Sequence, residues 1–133
     1  MPRPRRTAAV ASLSLATLLV IAGCGGTGTA ADPVREVPPA EAVAMLDERV
    51  VVDVRTPAEF VAGHVSGALN IDVEAADFDA RIGELEGDKA YLVYCRSGRR
   101  SAVAAQRMAA AGFTDIVDAG GLEPLAHAGA PIE

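Results

Sequence analysis

The sequence predicts an α/β fold with a parallel β-sheet flanked by helices. From residue 34 onward, short runs rich in β-branched residues alternate with helical patterns, which is the order of elements in βαβ units. Two runs, residues 50–54 and 91–94, are almost continuously apolar, as strands buried on both faces require. The 133 residues, with a mass of 13.6 kDa, suffice for one domain of ordinary size.

Three further segments have the composition of shorter strands. Gly112 precedes one of them and is suited to end a helix. The segments predicted as additional strands are residues 34–37, 68–71 and 115–117.

Helices are predicted between these strands. Thr56-Pro57-Ala58-Glu59 has the pattern of a capping box with proline at the first helical position. Residues 101–111 are rich in alanine, whose small side chain lets a helix lie close to a sheet, and this helix is predicted to begin near Arg100 or Ser101. The other predicted helices are residues 39–48 and 78–85. Right-handed crossovers would then give a parallel sheet.

Residues 1–23 have the features of a secretory signal peptide. Three arginines near the start precede an apolar segment over residues 8–22, which is short for a membrane span of about 20 residues. The junction Ile21-Ala22-Gly23-Cys24 resembles the lipobox of bacterial lipoproteins. The resemblance implies that Cys24 is acylated and anchors an exported protein to the outer face of the bacterial cytoplasmic membrane. Secretion with cleavage near residues 30–31, or an uncleaved anchor, are the alternatives.

Residues 24–33 are predicted to tether the lipid to a domain spanning residues 34–133, because they are small and rich in Gly and Thr.

The chain has 12 basic and 18 acidic side chains and a net charge of −6. Removing residues 1–23 would take three arginines and no acid, leaving a net charge of −9. This acidic balance argues against nucleic acid as the main partner. The 2 cysteines cannot build a disulfide framework.

The candidate nucleophile is Cys95. It follows a buried strand, at the edge of the sheet where open α/β folds place ligands. The loop after it enters a helix N-terminus, whose free backbone N–H groups can converge on an anion, and Gly98 permits the backbone angles of such a cradle. Arg96, Arg99 and Arg100 add positive charge. Such surroundings lower a thiol pKa, so Cys95 is predicted to be a nucleophilic thiolate.

Four segments, in this order along the chain, resemble segments of the rhodanese (sulfurtransferase) family. The loop Cys95-Arg96-Ser97-Gly98-Arg99-Arg100-Ser101 is similar to the family's Cys-x-x-Gly-x-Arg active-site loop. The resemblance covers nearly all of residues 34–133. The other three segments that carry it are residues 53–60, 63–71 and 120–122.

The resemblance implies a five-stranded parallel sheet with helices on both faces and a sulfurtransferase activity. Cys95 would take a sulfane sulfur from a small anionic donor, often thiosulfate, and hold it as a persulfide. Cyanide or a thiol, carried by a small molecule or a protein, would then remove the sulfur. No metal or organic cofactor is needed for this chemistry. Arg100 and Ser101 are expected to complete the anion pocket, and Arg96 and Arg99 to steer the donor. The expected substrate-binding residues are Arg96, Ser97, Gly98, Arg99, Arg100 and Ser101.

Three polar residues are predicted to support the loop. Asp53 and Arg55 lie at the end of a strand, and Glu59 lies one turn into the next helix, so an ion-pair network that positions the loop is favoured over a catalytic role. His64 lies in a turn far from Cys95 in sequence and is predicted to stabilise that turn by a hydrogen bond rather than to act as a general base.

Loop length separates this pattern from the cysteine phosphatases, whose pattern is Cys-x5-Arg. Position 101 is serine, and Tyr94 replaces the histidine that precedes the nucleophile in many phosphatases. The smaller ring of amides suits a sulfur atom. A sulfur carrier that delivers sulfur to a partner protein is the alternative function, and a catalytically silent interaction domain fits the intact loop poorly. Leu125 stands where many family members carry Trp, which bears on substrate shape and on the choice of acceptor.

Overall fold

The structure, a computed structural model, describes residues 30–133. The predicted signal peptide, the acylation site Cys24 and most of the predicted tether lie outside the described residues. Within residues 30–133, none of the helices has both the length and the apolar character that crossing a membrane requires.

Five strands form a single parallel sheet in the order β1-β5-β4-β2-β3. The five-stranded parallel sheet implied by the resemblance is therefore confirmed. Strand β4 is central, between β5 and β2. The strands are β1 (Val34–Glu36), β2 (Val50–Asp53), β3 (Leu69–Asn70), β4 (Tyr91–Cys95) and β5 (Ile116–Gly121).

Helices connect the strands and end close to the predicted positions. The predicted helix over residues 39–48 divides at Met45, whose N–H donates to Ala42 O at 3.0 Å and so tightens the last turn. The helix predicted for residues 78–85 ends before Gly83. The helices are α1 (Pro39–Ala44), a 3₁₀ turn (Leu46–Glu48), α2 (Pro57–Val61), α3 (Phe78–Ile82), α4 (Arg99–Ala110) and α5 (Leu122–His127).

The sheet has an apolar core on each face, as the predicted helices on both faces require. Helices α3 and α4 cover one face, where Phe78, Ile82 and Met108 are buried. Helices α1 and α5 cover the other face, where Ala42 and Leu125 are buried. Because β2 and β4 are buried in the middle of the sheet, the sequence of each is a nearly continuous apolar run.

Alternation along β4 places Cys95 on the α4 face of the sheet. Tyr91, Val93 and Cys95 belong to the core under α3 and α4, and Leu92 and Tyr94 belong to the opposite core. The strand ends at Cys95, one residue later than predicted.

The pairing between β4 and β5 changes register after Val93. Strand β5 also runs beyond the predicted residues 115–117, because backbone pairing continues through small residues that carry no strand signal.

Candidate active site

The loop after β4 wraps around the Cys95 sulfur. Gly98 lies at the N-cap of α4 with φ 95°, in the left-handed region that favours glycine. Its N–H donates to Cys95 Sγ at 2.9 Å. The Ser101 Oγ atom lies 3.6 Å from the same sulfur. The Gly98 amide and the Ser101 hydroxyl therefore both lie beside the sulfur at the start of α4.

The pKa of Cys95 is lowered from its ordinary value. Burial is the largest single influence and raises the pKa, because it penalises the charged thiolate. Hydrogen bonds from the N–H and hydroxyl of Ser101, and from the N–H groups of Gly98 and Ser97, together outweigh it. The sulfur therefore ionises more readily than an ordinary thiol, as predicted, and main-chain donors supply most of that stabilisation.

Cys95 is fully buried, with 0% of its surface exposed. Arg96 and Ser97, which follow it in the loop, are exposed. Cavities of about 570 and 430 Å³ flank the loop and are both lined in part by Ser97, but neither is lined by Cys95.

The end of β5 packs directly against this loop. A Cβ atom added to Gly121 would lie 2.5 Å from the carbonyl oxygen of Arg96, closer than real Cβ atoms approach. A Cβ atom at Gly98 would meet the Cα of Gly120 at 3.5 Å. Of the two consecutive glycines, Gly121 therefore lets the loop lie close to β5, whereas a Cβ atom added to Gly120 would meet no atom within 4 Å. The resemblance identified these glycines, but the close approach that requires Gly121 became visible only in the structure.

Glu59 and Arg100 join α2 to α4 beside the loop. Two Arg100 nitrogens donate to the two Glu59 carboxylate oxygens, each at 2.8 Å. Glu59 also completes the predicted capping box with Thr56. The hydrogen bonds from Arg100 lower the pKa of Glu59 to about 2, aided by those from Thr56 and opposed by burial. The Arg100 guanidinium, assigned by the sequence to the anion pocket, is thus held by a carboxylate, and its contact with substrate stays a prediction.

Asp53 and Arg55 form a separate buried pair. Arg55 Nη2 donates to Asp53 Oδ2 at 2.6 Å and to the Gly63 carbonyl at 2.7 Å. The hydroxyl of Tyr94 donates to Asp53 Oδ2 at 2.7 Å and accepts from the Val65 N–H at 3.0 Å. This network ties the residue before Cys95 to the turn at residues 63–65.

The pKa values in this network move in the directions that its contacts require. Burial alone would lower the pKa of Arg55, but the hydrogen bond and charge of Asp53 raise it overall. Burial, followed by the hydrogen bond to Asp53, raises the pKa of Tyr94. Sequence reasoning placed Glu59 in this network, although it pairs with Arg100 instead. Sequence reasoning also missed Tyr94, whose hydroxyl carries no local signal of its partner.

His64 stabilises its turn, as predicted. Its Nδ1 atom lies 2.9 Å from the carbonyl oxygen of Phe60, and its ring stacks on the Phe60 ring with centroids 3.6 Å apart. The Nε2 atom lies 3.4 Å from a carboxylate oxygen of Glu133. Both ring nitrogens of His64 therefore have partners outside the Cys95 loop.

Arg96 and Arg99 are the free cations of the loop. Both side chains are exposed, and neither forms an ion pair with any residue in the described range 30–133. The other cation of the loop, Arg100, is paired with Glu59. Arg96 and Arg99 are therefore the loop side chains available to an anionic ligand.

Leu125 faces the core of the domain rather than solvent. It is fully buried in the core beneath α5 and lines neither of the cavities beside Ser97. Its neighbours Leu122, Pro124 and Ala126 line these cavities instead. Leu125 therefore belongs to the core, and its effect on substrate shape and on the choice of acceptor stays a prediction.

The model of the rhodanese-like domain family matches residues 38–125. Thiosulfate sulfurtransferase GlpE of Pseudomonas putida is 35% identical over 102 residues, which cover 74% of this chain and 90% of that protein. Thiosulfate sulfurtransferase PspE of Escherichia coli is 36% identical over 77 residues, which cover 56% of this chain and 72% of that protein.

Solved structures of similar proteins have the same fold. A rhodanese-related protein from Thermoplasma volcanium superposes with a TM-score of 0.65 at 29% identity, covering 74% of this chain and 97% of that one. A rhodanese from E. coli, solved with anions, superposes with a TM-score of 0.55 at 28% identity, covering 64% of this chain and 96% of that one. The matched residues 38–125 contain the nucleophile loop and both ion pairs beside it. The chain is accordingly an enzyme that belongs to the rhodanese-like domain family.

Proposed function

We propose that the chain transfers a sulfane sulfur from a small anionic donor such as thiosulfate to a thiophilic acceptor, either cyanide or a thiol, through a persulfide on Cys95. The observation that carries the proposal is the ring of donors from Ser97, Gly98 and Ser101, which lowers the pKa of Cys95 although the sulfur is buried. The names of the two sulfurtransferases similar to this chain support thiosulfate as a donor.

In the first half-reaction, the Cys95 thiolate attacks the outer sulfur of thiosulfate. A bond forms between Sγ and that sulfur, and the sulfur–sulfur bond of thiosulfate breaks with its electron pair leaving on sulfite. The total charge is unchanged, and no proton or oxidant is required. The unpaired guanidinium groups of Arg96 and Arg99 attract the dianionic donor.

In the second half-reaction, the acceptor attacks the outer sulfur of the persulfide. Cyanide is converted to thiocyanate, or a thiolate to a new persulfide. The electron pair of the broken sulfur–sulfur bond returns to Cys95 Sγ, which is the leaving group. The same N–H groups that stabilise the thiolate stabilise this leaving group. Splitting the transfer into two displacements requires a single nucleophile and gives ping-pong kinetics.

The direct test replaces the nucleophile. Cys95→Ala is expected to abolish formation of thiocyanate from thiosulfate and cyanide. Mass spectrometry of the wild-type protein treated with thiosulfate should show the mass of one added sulfur atom on the peptide that contains Cys95. Activity of Cys95→Ala equal to that of the wild type would refute the proposal.

The burial of Cys95 gives specific support to one alternative, a sulfur carrier that delivers to a partner protein. A persulfide with no exposed surface would be protected until a partner opens the loop. The two functions differ in the second half-reaction. Cyanide or a small thiol should remove sulfur from the loaded enzyme within its turnover time, whereas a carrier would retain its sulfur under the same conditions.

We also propose that the protein is exported and held at the outer face of the cytoplasmic membrane by lipid on Cys24, since residues 21–24 have the lipobox pattern. Expressed in a bacterium, the wild-type protein should enter the membrane fraction, and Cys24→Ser should not be acylated there. Thr27→Ser, a matched change in the adjoining segment, should behave as the wild type. Equal acylation of Cys24→Ser and wild type would contradict this proposal.

A further inference from the structure

Asp118 is a buried carboxylate in β5 to which neither the sequence motifs nor the proposed mechanism assigns a role. It is 6% exposed. Of the charged side chains that are buried within residues 30–133, Asp53 and Arg55 pair with each other, whereas Asp118 forms no ion pair in that range. A buried, unpaired carboxylate destabilises a fold unless hydrogen bonds replace its lost water. The group that donates to Asp118 therefore indicates what this residue does.

The Asp118 carboxylate binds its own strand at a β-bulge. Its Oδ1 atom accepts from the Gly120 N–H at 3.0 Å. Val93 pairs with Asp118 and Cys95 pairs with Gly121, so β5 contains one residue more than β4 between these two pairs. Gly120 has φ 76°, in the left-handed region that favours glycine. Because an aspartate oxygen that accepts from the N–H two residues later stabilises a turn of the backbone, Asp118 holds the bulge in place.

The bulge presents the Gly120 backbone to the nucleophile loop. The carbonyl oxygen of Gly120 lies 3.4 Å from Ser101 Oγ. A Cβ atom added to Gly98 would meet the Cα atom of Gly120 at 3.5 Å, which is ordinary van der Waals contact. The loop and the start of α4 therefore pack against the backbone that Asp118 holds.

Ser101 connects this backbone contact to the reacting sulfur. Its side chain is fully buried, and Oγ lies 3.0 Å from the Gly98 carbonyl oxygen and 3.6 Å from Cys95 Sγ. The hydroxyl has one proton, which it donates to one of the nearby carbonyl oxygens or to the sulfur. Donation to the sulfur stabilises the thiolate. The position of the Gly120 carbonyl therefore affects how the hydroxyl proton is shared between these acceptors.

We propose that Asp118 is a positioning residue for sulfur transfer, because its hydrogen bond from Gly120 fixes the bulge against which the Cys95 loop packs. The inference rests on the proposed transfer through Cys95 and adds to it a residue that acts through the backbone. The Asp118 carboxylate accepts a hydrogen bond and neither gives nor takes a proton during the reaction. An uncharged side chain with an oxygen acceptor at this position should therefore serve as well.

The test compares two uncharged side chains of similar size that differ in the acceptor oxygen, with thiocyanate formation as the assay. Asp118→Leu removes the acceptor and leaves the Gly120 N–H without its partner. At neutral pH, kcat/KM for thiosulfate should fall about tenfold, as for the loss of a hydrogen bond to a charged group. Asp118→Asn keeps an acceptor oxygen, so its kcat/KM should stay within about twofold of wild type.

The direction of the change in the Cys95 pKa separates positioning from an effect of charge. The pH profile of kcat/KM reports this pKa in the free enzyme. Both substitutions at Asp118 remove a negative charge, and the loss of a nearby negative charge lowers a thiol pKa. Displacement of the loop donors would raise it, so we expect the pKa to rise in Asp118→Leu and not in Asp118→Asn.

A matched control removes the same kind of hydrogen bond elsewhere. Asp32 Oδ1 accepts from the Val34 N–H at 2.9 Å. Val34 begins β1, at the edge of the parallel sheet opposite to Cys95. Asp32→Leu should leave kcat/KM and its pH profile unchanged. Asp118→Ala, which also lacks the acceptor, substitutes for Asp118→Leu if thermal unfolding shows that the leucine variant does not fold.

Lower activity and a raised Cys95 pKa in Asp118→Leu, with rescue in Asp118→Asn, support the inference. Wild-type activity in Asp118→Leu, an equal loss in Asp118→Asn, or a loss without a rise in the Cys95 pKa would overturn it. The proposed function stands in these three cases if thiosulfate loads sulfur onto Cys95 of the wild-type protein. If wild-type Cys95 takes no sulfur from thiosulfate, both the inference and the proposed function fail.

Discussion

At Cys95, burial disfavours the thiolate, and hydrogen bonds from Ser101, Gly98 and Ser97 more than offset that effect. Three of these donors are main-chain N–H groups, whose positions depend on the path of the loop rather than on side-chain identity. Residues that shape the loop backbone therefore control the chemistry of the sulfur, even where they have no side chain of their own.

A substitution at Gly121 tests whether the path of the loop backbone controls the chemistry of the Cys95 sulfur. Its missing Cβ leaves room for the carbonyl of Arg96, and Gly121→Ala would place an atom 2.5 Å from that oxygen. The loop must move to relieve the overlap, so we expect the free energy of unfolding to fall by about 1–3 kcal/mol and sulfur transfer to fall with it. Urea unfolding and thiocyanate formation measure the two effects.

Gly87 provides the matched control for this substitution. It lies in an exposed turn, and an added Cβ would meet no atom within 4 Å. Gly87→Ala should leave both stability and activity near the wild-type values. Similar losses in the two variants would show that the close approach of Gly121 to the loop is unimportant.

Among the elements, α2 and α4 are joined by the pair of Glu59 and Arg100, with side chains 28% and 17% exposed. The folded protein holds the pKa of Glu59 at about 2, below its ordinary value of 4.5. A lowered pKa means that the pair stabilises the fold fully above pH 4.5 and less as the pH falls toward 2. Because the pair is partly exposed, we expect its contribution to be about 1–2 kcal/mol.

Glu59→Gln removes the titrating group and provides the test. At neutral pH the variant should unfold at a lower temperature than the wild type. The difference should shrink as the pH falls from 4.5 toward 2, because the wild-type carboxylate becomes protonated. Thermal unfolding followed by circular dichroism over this range measures the trend. A difference that is constant with pH would contradict the assigned pairing.

The helices and strands show which features can be predicted from neighbouring residues and which cannot. The capping box at Thr56 and the apolar runs of β2 and β4 depend on neighbouring residues, and they were predicted correctly. The partner of Glu59 lies 41 residues away and is set by how α4 packs beside α2. The antiparallel bridge between Val65 and Ile132 depends equally on tertiary packing. Neither contact has a periodic or compositional signal, so neither was predictable.

For the whole molecule, the net charge of the domain is negative, whereas the charge exposed at the nucleophile loop is positive. Residues 30–133 hold all 18 acidic side chains and 9 of the 12 basic ones. Within this acidic domain, Arg96 and Arg99 are exposed and unpaired at the loop. The Debye length in physiological salt is about 8 Å, so the adjacent cations dominate for a donor at the loop.

Added salt should therefore change KM for thiosulfate in opposite directions in the wild type and in a variant that lacks the two loop arginines. In the wild type, raising the ionic strength screens the attraction of the loop cations, and we expect KM for thiosulfate to rise about threefold. In the double variant Arg96→Gln, Arg99→Gln, the repulsion by the acidic domain remains, so added salt should lower KM. Steady-state kinetics at low and physiological ionic strength measure both. The same salt response in both forms would contradict donor steering by these arginines.

At this scale the sequence predicted the sheet, its helices and the nucleophile loop, because each depends on apolar patterning or on a contiguous motif. It did not predict that Cys95 is fully enclosed, or that Leu125 faces the core and leaves Ile132 beside the loop. These features depend on how separate segments meet. The position of the nucleophile loop was thus predictable, whereas the surfaces around it were not.

A pH titration of the Cys95 thiol tests directly whether the loop stabilises a thiolate. The ultraviolet absorbance of the thiolate, taken as the difference between the wild type and Cys95→Ser, isolates this sulfur from every other titrating group. We expect a pKa below the ordinary cysteine value of 9.0, because the N–H groups of the loop stabilise the thiolate. A pKa at or above 9.0 would show that burial outweighs those donors, and it would remove the observation that carries the proposed mechanism.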